Sequence, residues 1–165
     1  LARVRSDRNN MPRFVGGLSI NMRYKQFDAA ILFQGAAGGQ QYISPESGEI
    51  GNFYKDFADN RWTEDNITAE YPRTWNRDEE YWRANASTHE LFLRRTDYVR
   101  LKNVEIGYSL PSSFNKKIGI DGLRIYVNGL NLLTMDKVKL IDPELESGTA
   151  YPLTKIINAG LTLTF

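Results

Sequence analysis

The chain has 165 residues, a formal net charge of +1 and no cysteine. That balance gives no basic surface for nucleic acid, and the missing thiols exclude a disulfide scaffold, a thiolate metal site and a cysteine nucleophile. A single histidine, His89, is too few for a histidine-based metal or acid–base centre, and no stretch of 18 apolar residues offers a transmembrane helix. A membrane-crossing strand needs only about 9–11 alternating residues, so membrane insertion through strands stays open. The chain opens Leu-Ala-Arg-Val-Arg, with no initiator Met or signal peptide, and is read as a piece of a longer chain.

In chain order, 14–24 reads FVGGLSINMRY. Phe14, Leu18, Ile20, Met22 and Tyr24 share one parity, against Ser19, Asn21 and Arg23 on the other, which is the period of a strand. Lys25-Gln26 is long enough for a tight turn. A second strand follows over 27–36, with Phe27, Ala29, Ile31 and Phe33 opposite Asp28 and Gln34. Residues 37–91 change character: glycines and prolines punctuate them, and they hold all three tryptophans and 11 of the 20 acidic residues. They read as one long excursion with short local structure.

A third strand is expected over 92–110. Its lower half alternates Val104, Ile106, Tyr108 and Leu110 against Asn103, Glu105, Gly107 and Ser109. Above it, Arg100 and Lys102 fall on the apolar parity, so either a bulge shifts the register or that half stands above the hydrocarbon. Residues 111–121 read as a polar turn. A fourth strand over 122–132 sets Leu123, Ile125 and Val127 against Arg124, Tyr126 and Asn128, until Leu130 and Leu132 break the pattern. After a loop over 133–153, the strand 155–165 places Ile157, Ala159, Leu161, Leu163 and Phe165 on one face. No helical period and no internal repeat stands out.

The connections run 2, about 55, about 11 and about 21 residues, so short and long alternate. Outer-membrane barrels keep periplasmic turns short and extracellular loops long. Under that topology Tyr24, Phe27, Tyr108 and Phe165 lie near the periplasmic ends of four strands, all on the apolar parity, as an aromatic girdle at the headgroup level. The other parity carries Ser, Asn, Thr, Gly, Asp and Arg. The expected fold is therefore all-β: a segment of an antiparallel, up-and-down transmembrane β-barrel, with long extracellular loops at 37–91 and 133–153. Five strands cannot close a barrel, and the remainder must come from sequence outside this chain. A secreted carbohydrate-binding β-sandwich is the alternative, since period alone does not say which face is inside.

Several ordered motifs carry a resemblance. DYVRLKNVEIGYSLP, LRIYVNGLNLLT, IDPELESG and the ending NAGLTLTF, together with MPRFVGGLSINMRYKQFDAAILFQGAAG, NRWTEDN and YPR, resemble the C-terminus of the SusC/RagA family of TonB-linked outer-membrane proteins. The resemblance covers about residues 10–165, and Tyr98 through Asn103, continuing to Tyr108, is its most specific part. It implies the last five strands of a 22-stranded, plugged barrel. It further implies a Gram-negative outer membrane, a SusD-like surface lipoprotein as cap, TonB as energy source acting on parts absent here, and glycans or peptides as cargo. Gln26 stands in the tight turn where the resemblance leads one to expect Gly.

The candidate site residues follow. Phe165 with Leu163 and Leu161 resembles the C-terminal signal read by the outer-membrane assembly machinery, and equally ends the lipid-facing row. Among nine aromatics in 37–91, Tyr54, Trp62, Trp75, Tyr81 and Trp82 are candidates to contact ligand or the capping lipoprotein. Aromatics of this kind stack on sugar faces or anchor interfaces, but most are read as the loop's own small core. Asp136, Asp142, Glu144 and Glu146 lack the spacing of a calcium loop. Glu79-Glu80 point to opposite faces of an extended chain and cannot flank one glycosidic bond. Arg23 and Lys102 either line a lumen or snorkel to headgroups. No enzyme, metal or cofactor is expected.

Overall fold

The computed structural model describes residues 9–43, 54–74, 90–145 and 150–165. Strand β1 (Phe14–Tyr24) and β2 (Phe27–Ala37) pair antiparallel without a break, from Phe14↔Ala37 to Tyr24↔Phe27. The turn between them is made by Lys25, which takes a left-handed φ of 54°. The position that wants glycine is thus Lys25 and not Gln26.

After β2 the chain turns through Gly38 (φ 88°) into the short β3 (Gln40–Tyr42). A six-residue helix α1 (Lys55–Asn60) and a 3-10 turn (Glu90–Phe92) follow. The strand expected over 92–110 is two strands. β4 (Leu93–Arg95) pairs with β3, and β5 (Tyr98–Ser109) belongs to the main sheet. Thr96 and Asp97 make the break. The Thr96 N–H donates to the Gly39 carbonyl, and the Asp97 carboxylate accepts from the Gly38 N–H at 2.8 Å.

The polar turn over 111–121 contains a second short helix, α2 (Ser112–Lys117), opened by Pro111 and closed at Gly119 with φ 75°. Buried Asn115 fixes it by donating to the Leu110 carbonyl. β6 (Gly122–Asp136) runs four residues past its expected end, and β7 (Ile156–Thr164) completes the set. The main sheet has five strands in the order β1-β2-β5-β6-β7, each antiparallel to its neighbours.

The parity break in β5 is a bulge. Leu32 pairs with Asn103 but Phe33 pairs with Leu101, leaving Lys102 as the extra residue. Below it the odd residues of β5 share the polar face with Asp28. Above it Arg100 and Tyr98 join that face, opposite Gln34 and Ala36, and Val99 and Leu101 move to the apolar side. β6 adds its own irregularity: Asn131 has a φ of 52°, and the register shifts between Leu101 and Asn103. Leu132 lies over Gly129, where a Cβ would sit only 2.8 Å from its methyls.

The sheet has no core of its own. Leu18, Met22, Ile106, Ile125, Val127, Ile157 and Leu161 are all exposed on the apolar face, and no second sheet covers that face among the described residues. A soluble sandwich requires such a layer. An apolar face of this extent belongs against lipid or a partner. The buried cluster lies in the excursion after β2, where Phe57, Tyr71 and Phe92 pack together with Tyr42 and Tyr54 against them. Tyr71 and Phe92 stack with ring centroids 6.4 Å apart, and Phe57 sits 5.3 Å from Tyr71. Each buried ring contributes about 1.5–3 kcal/mol to this lobe.

Candidate functional site

The polar face carries two charge clusters, one near each end of β5. In the first, Arg124 reaches diagonally across Gly107 and pairs with both Asp28 carboxylate oxygens and, at 2.7 Å, with Glu105 Oε1. Glycine at 107 makes this possible, because a Cβ there would collide with the guanidinium. The guanidinium carbon also lies 5.2 Å from the Tyr126 ring centre. Tyr126 in turn lies over Gly160, whose Cβ would meet its ring at 2.6 Å. Long side chains are thus laid flat over glycines on the neighbouring strand.

The second cluster centres on Arg100, which is 0 % exposed. One terminal nitrogen donates to Asp142 Oδ1 at 2.6 Å, and the other lies 3.0 Å from Glu144 Oε2 at an angle that closes no hydrogen bond. The Tyr98 hydroxyl donates to Glu144 Oε1 at 2.8 Å, and Gln34 Nε2 donates to the same oxygen at 3.2 Å. Lys102, the bulge residue, stands 4.0 Å from Glu144. The Glu144 N–H returns to Asp142 Oδ1, so one short turn presents both carboxylates to one guanidinium. In the sequence Asp142 and Glu144 read only as acids of the 133–153 loop. The missing signal was their partner 42 residues upstream, aimed at them only by the bulge. Among the described residues no three acidic or histidine side chains gather to hold a metal, and Glu146 lies outside those residues.

Beside Arg100 is a cleft of about 450 Å³, lined by Tyr54, Thr134, Asp136, Lys139, Leu140 and Asp142 among others. Tyr54, one of the candidate aromatics, lines this cleft and also packs on the Phe57–Tyr71–Phe92 cluster. Trp62 is 38 % exposed and donates its backbone N–H to the Tyr71 carbonyl. Trp75, Tyr81, Trp82 and the Glu79-Glu80 pair lie outside the described residues.

Two further polar groups organise this end. Tyr71 donates its hydroxyl to Asp56 at 2.9 Å and accepts from Arg94 at 2.5 Å; burial, then the Asp56 carboxylate, push the phenol above its ordinary range. Burial works against ionised Asp97, but the Gly38 N–H and the cations of Arg95 (2.5 Å) and Lys137 (3.7 Å) outweigh it and hold its carboxyl below the usual value.

At the opposite end, Tyr24 pairs with Phe27 and Phe27 with Tyr108, all on the apolar parity, and the rings of Phe27 and Tyr108 are 4.8 Å apart. That row continues through Ile125 to Leu161. Phe165 stands four residues past Leu161 and is 85 % exposed; Leu161 and Leu163 are exposed on its side of β7.

An antiparallel meander with one bare apolar face and one polar face carrying ion clusters has the two-faced character of membrane β-barrel strands. Comparison with known proteins makes the class specific. TonB-dependent receptor P3 of Formosa agariphila is 35% identical over 136 residues, covering 81% of this chain and 13% of that protein. TonB-dependent receptor P26 of the same organism is 29% identical over 177 residues, covering 94% and 17%. The structures of the RagAB peptide transporter and of the RagAB peptide importer in its 'open-open' state superpose with TM-scores of 0.76 and 0.74. Each is 29% identical to this chain and covers 98% of it. No family model matches. The chain belongs to the SusC/RagA type of TonB-dependent receptors, as the motifs led one to expect. It spans less than a fifth of the length of these relatives, 13% to 18%.

Proposed function

We propose that this chain is the C-terminal part of the barrel wall of an outer-membrane, TonB-dependent transporter that takes up oligosaccharides or peptides together with a SusD-like surface lipoprotein. The observation that carries this reading is the five-stranded antiparallel sheet whose apolar face is uncovered and whose polar face is lined by paired charges. In lipid such a sheet needs closure, and strands from elsewhere in the intact protein supply the rest of a 22-stranded barrel. The apolar face then meets lipid and the polar face lines the lumen.

On this reading the excursion after β2 and the loop after β6 are extracellular, and the turns at Lys25 and α2 are periplasmic. Tyr24, Phe27, Tyr108 and Phe165 form the periplasmic aromatic girdle. A strand tilt of about 35–45° shifts successive strands by roughly 3 Å along the barrel axis, so the four-residue offset of Phe165 from the Leu161 row is of the size that tilt accommodates. Leu161, Leu163 and Phe165 serve the assembly machinery, while Tyr54 and Trp62, with Trp75, Tyr81 and Trp82, face ligand or the lipoprotein cap. TonB acts through other parts of the intact protein.

The test is uptake. Deleting the intact gene is expected to abolish accumulation of a labelled oligosaccharide or peptide by whole cells, and deleting TonB is expected to do the same. The protein should fractionate with outer membranes as a heat-modifiable band, together with a surface lipoprotein. Recovery of the intact protein as a soluble monomer with a cooperative melt would refute the proposal.

A further inference from the structure

We propose that Lys137–Leu145 is a strap folded back over the polar face of the wall and held by an ionic latch on Arg100, so that lifting the strap opens the mouth of the channel. The proposal rests on the lumen reading of the polar face. Three observations carry it.

The bulge at Lys102 turns Arg100 from the apolar side to the polar side. Without it this cation would face lipid. The guanidinium is completely buried, with Asp142 and Glu144 of the strap as its counter-ions. Their two negative charges are balanced locally by Arg100 and Lys102.

The strap is also seated at its start. The Lys137 N–H donates to the Asp97 carbonyl at 3.1 Å, and Val138 is 2 % exposed. The Lys139 N–H donates to Asp136 at 2.6 Å, and the Leu145 N–H closes a turn on the Asp142 carbonyl at 3.0 Å. The turn is therefore a preformed clip, engaged on the wall through its two carboxylates.

The chemistry of the clip suits release. Buried ion pairs give little net stability but strong geometric selection, because desolvation opposes the Coulombic gain. Among the described residues the Nε of Arg100 has no hydrogen-bond partner, and the guanidinium's contact with Glu144 is poorly aligned. An apolar clasp would stay shut, whereas this one exchanges when its charges find water or another charged group. Thr134, opposite Arg100 in the register and lining the cleft, is the wall position that lifting the strap uncovers.

The experiment uses the intact protein in outer membranes. A cysteine at Thr134 (this chain contains none) is labelled from outside with a bulky, membrane-impermeant maleimide. Asp142→Asn with Glu144→Gln is expected to raise the labelling rate by about tenfold or more, the shift expected when a latch of about 1.4 kcal/mol is removed. A cysteine at exposed Met11 should react at the same rate in both backgrounds. Arg100→Lys, which keeps the charge but loses the fork, should give a smaller rise. An unchanged Thr134→Cys rate in a correctly folded, heat-modifiable barrel overturns the latch. If the double variant fails to fold, Asp142→Asn and Glu144→Gln tested singly carry the same expectation and the same refutation. A cysteine at Leu161 should stay unreactive until detergent is added. Its ready labelling in membranes would overturn the wall reading instead.

Discussion

Leu161→Arg and Asn158→Arg form a matched pair on β7. Both side chains stand in open space in the five-stranded sheet, Leu161 on the apolar face beside Ile125 and Asn158 on the polar face beside Asn128. Within the sheet alone an arginine fits equally at either site, so any difference must come from what each face meets. Leu161 is one residue from the middle of its strand. An arginine at the hydrocarbon midplane costs about 2–4 kcal/mol, a factor of roughly 30 to 700 in the folded-to-unfolded ratio. Asn158→Arg loses one exposed hydrogen bond from Asn158 to Asn128, worth about 1 kcal/mol or less. Urea titration of the intact protein refolded into lipid vesicles, read by heat-modifiable mobility, measures both changes. Equal destabilisation by the two substitutions, or a larger effect at Asn158, would refute the assignment of faces.

Three further outcomes are expected. Phe57→Ala should loosen the lobe after β2 by about 3 kcal/mol, seen as faster limited proteolysis there while the barrel stays heat-modifiable; resistance equal to wild type would remove Phe57 from the lobe's core. Lys25→Gly should stabilise the β1–β2 turn by about 1 kcal/mol because Lys25 has a left-handed φ, measured by the same urea titration; a loss of stability would contradict that geometry. The depressed carboxyl of Asp97 contributes stability that is fully present above the ordinary aspartate value of about 4 and is lost as pH falls through its lower folded value. Hydrogen exchange at the Gly38 amide, corrected for intrinsic rate, should therefore accelerate only below about pH 4, and Asp97→Asn should accelerate it at neutral pH; protection that persists at pH 2 would break the link.

The parts of the fold legible in the sequence were those fixed by local period. β1 and β2 alternate without interruption and share a two-residue turn, so their residues state both the strands and their pairing. The upper half of β5 announced an anomaly through Arg100 and Lys102 but not its resolution, because a bulge and a rise above the lipid produce the same pattern. The register to β2 decides for the bulge. β6 looked shorter than it is because Asn131, in a left-handed conformation, interrupts the alternation without ending the pairing. Helices α1 and α2 have six residues each, too few to show a helical period, and α2 is fixed by buried Asn115.

The candidate site was less legible. Phe57, Tyr71 and Phe92 form their cluster across a separation of 35 residues, so no local spacing marks them as partners. Asp142 and Glu144 read as loop acids until Arg100 is placed beneath them.

Under the proposed reading, in which the polar face lines a lumen, Arg124 resting on Gly107 and Tyr126 resting on Gly160 bear on what the wall lets past. Two of the bulkiest side chains on the polar face lie along the sheet instead of standing up from it, so the wall is thin where its residues are large. In a channel this preserves bore. A methyl group added at either glycine would lift a guanidinium or a phenol ring into the passage, and the first effect would fall on the widest cargo. Under the proposed lumen reading these two glycines act on calibre, and the bore is set partly by residues that have no side chain.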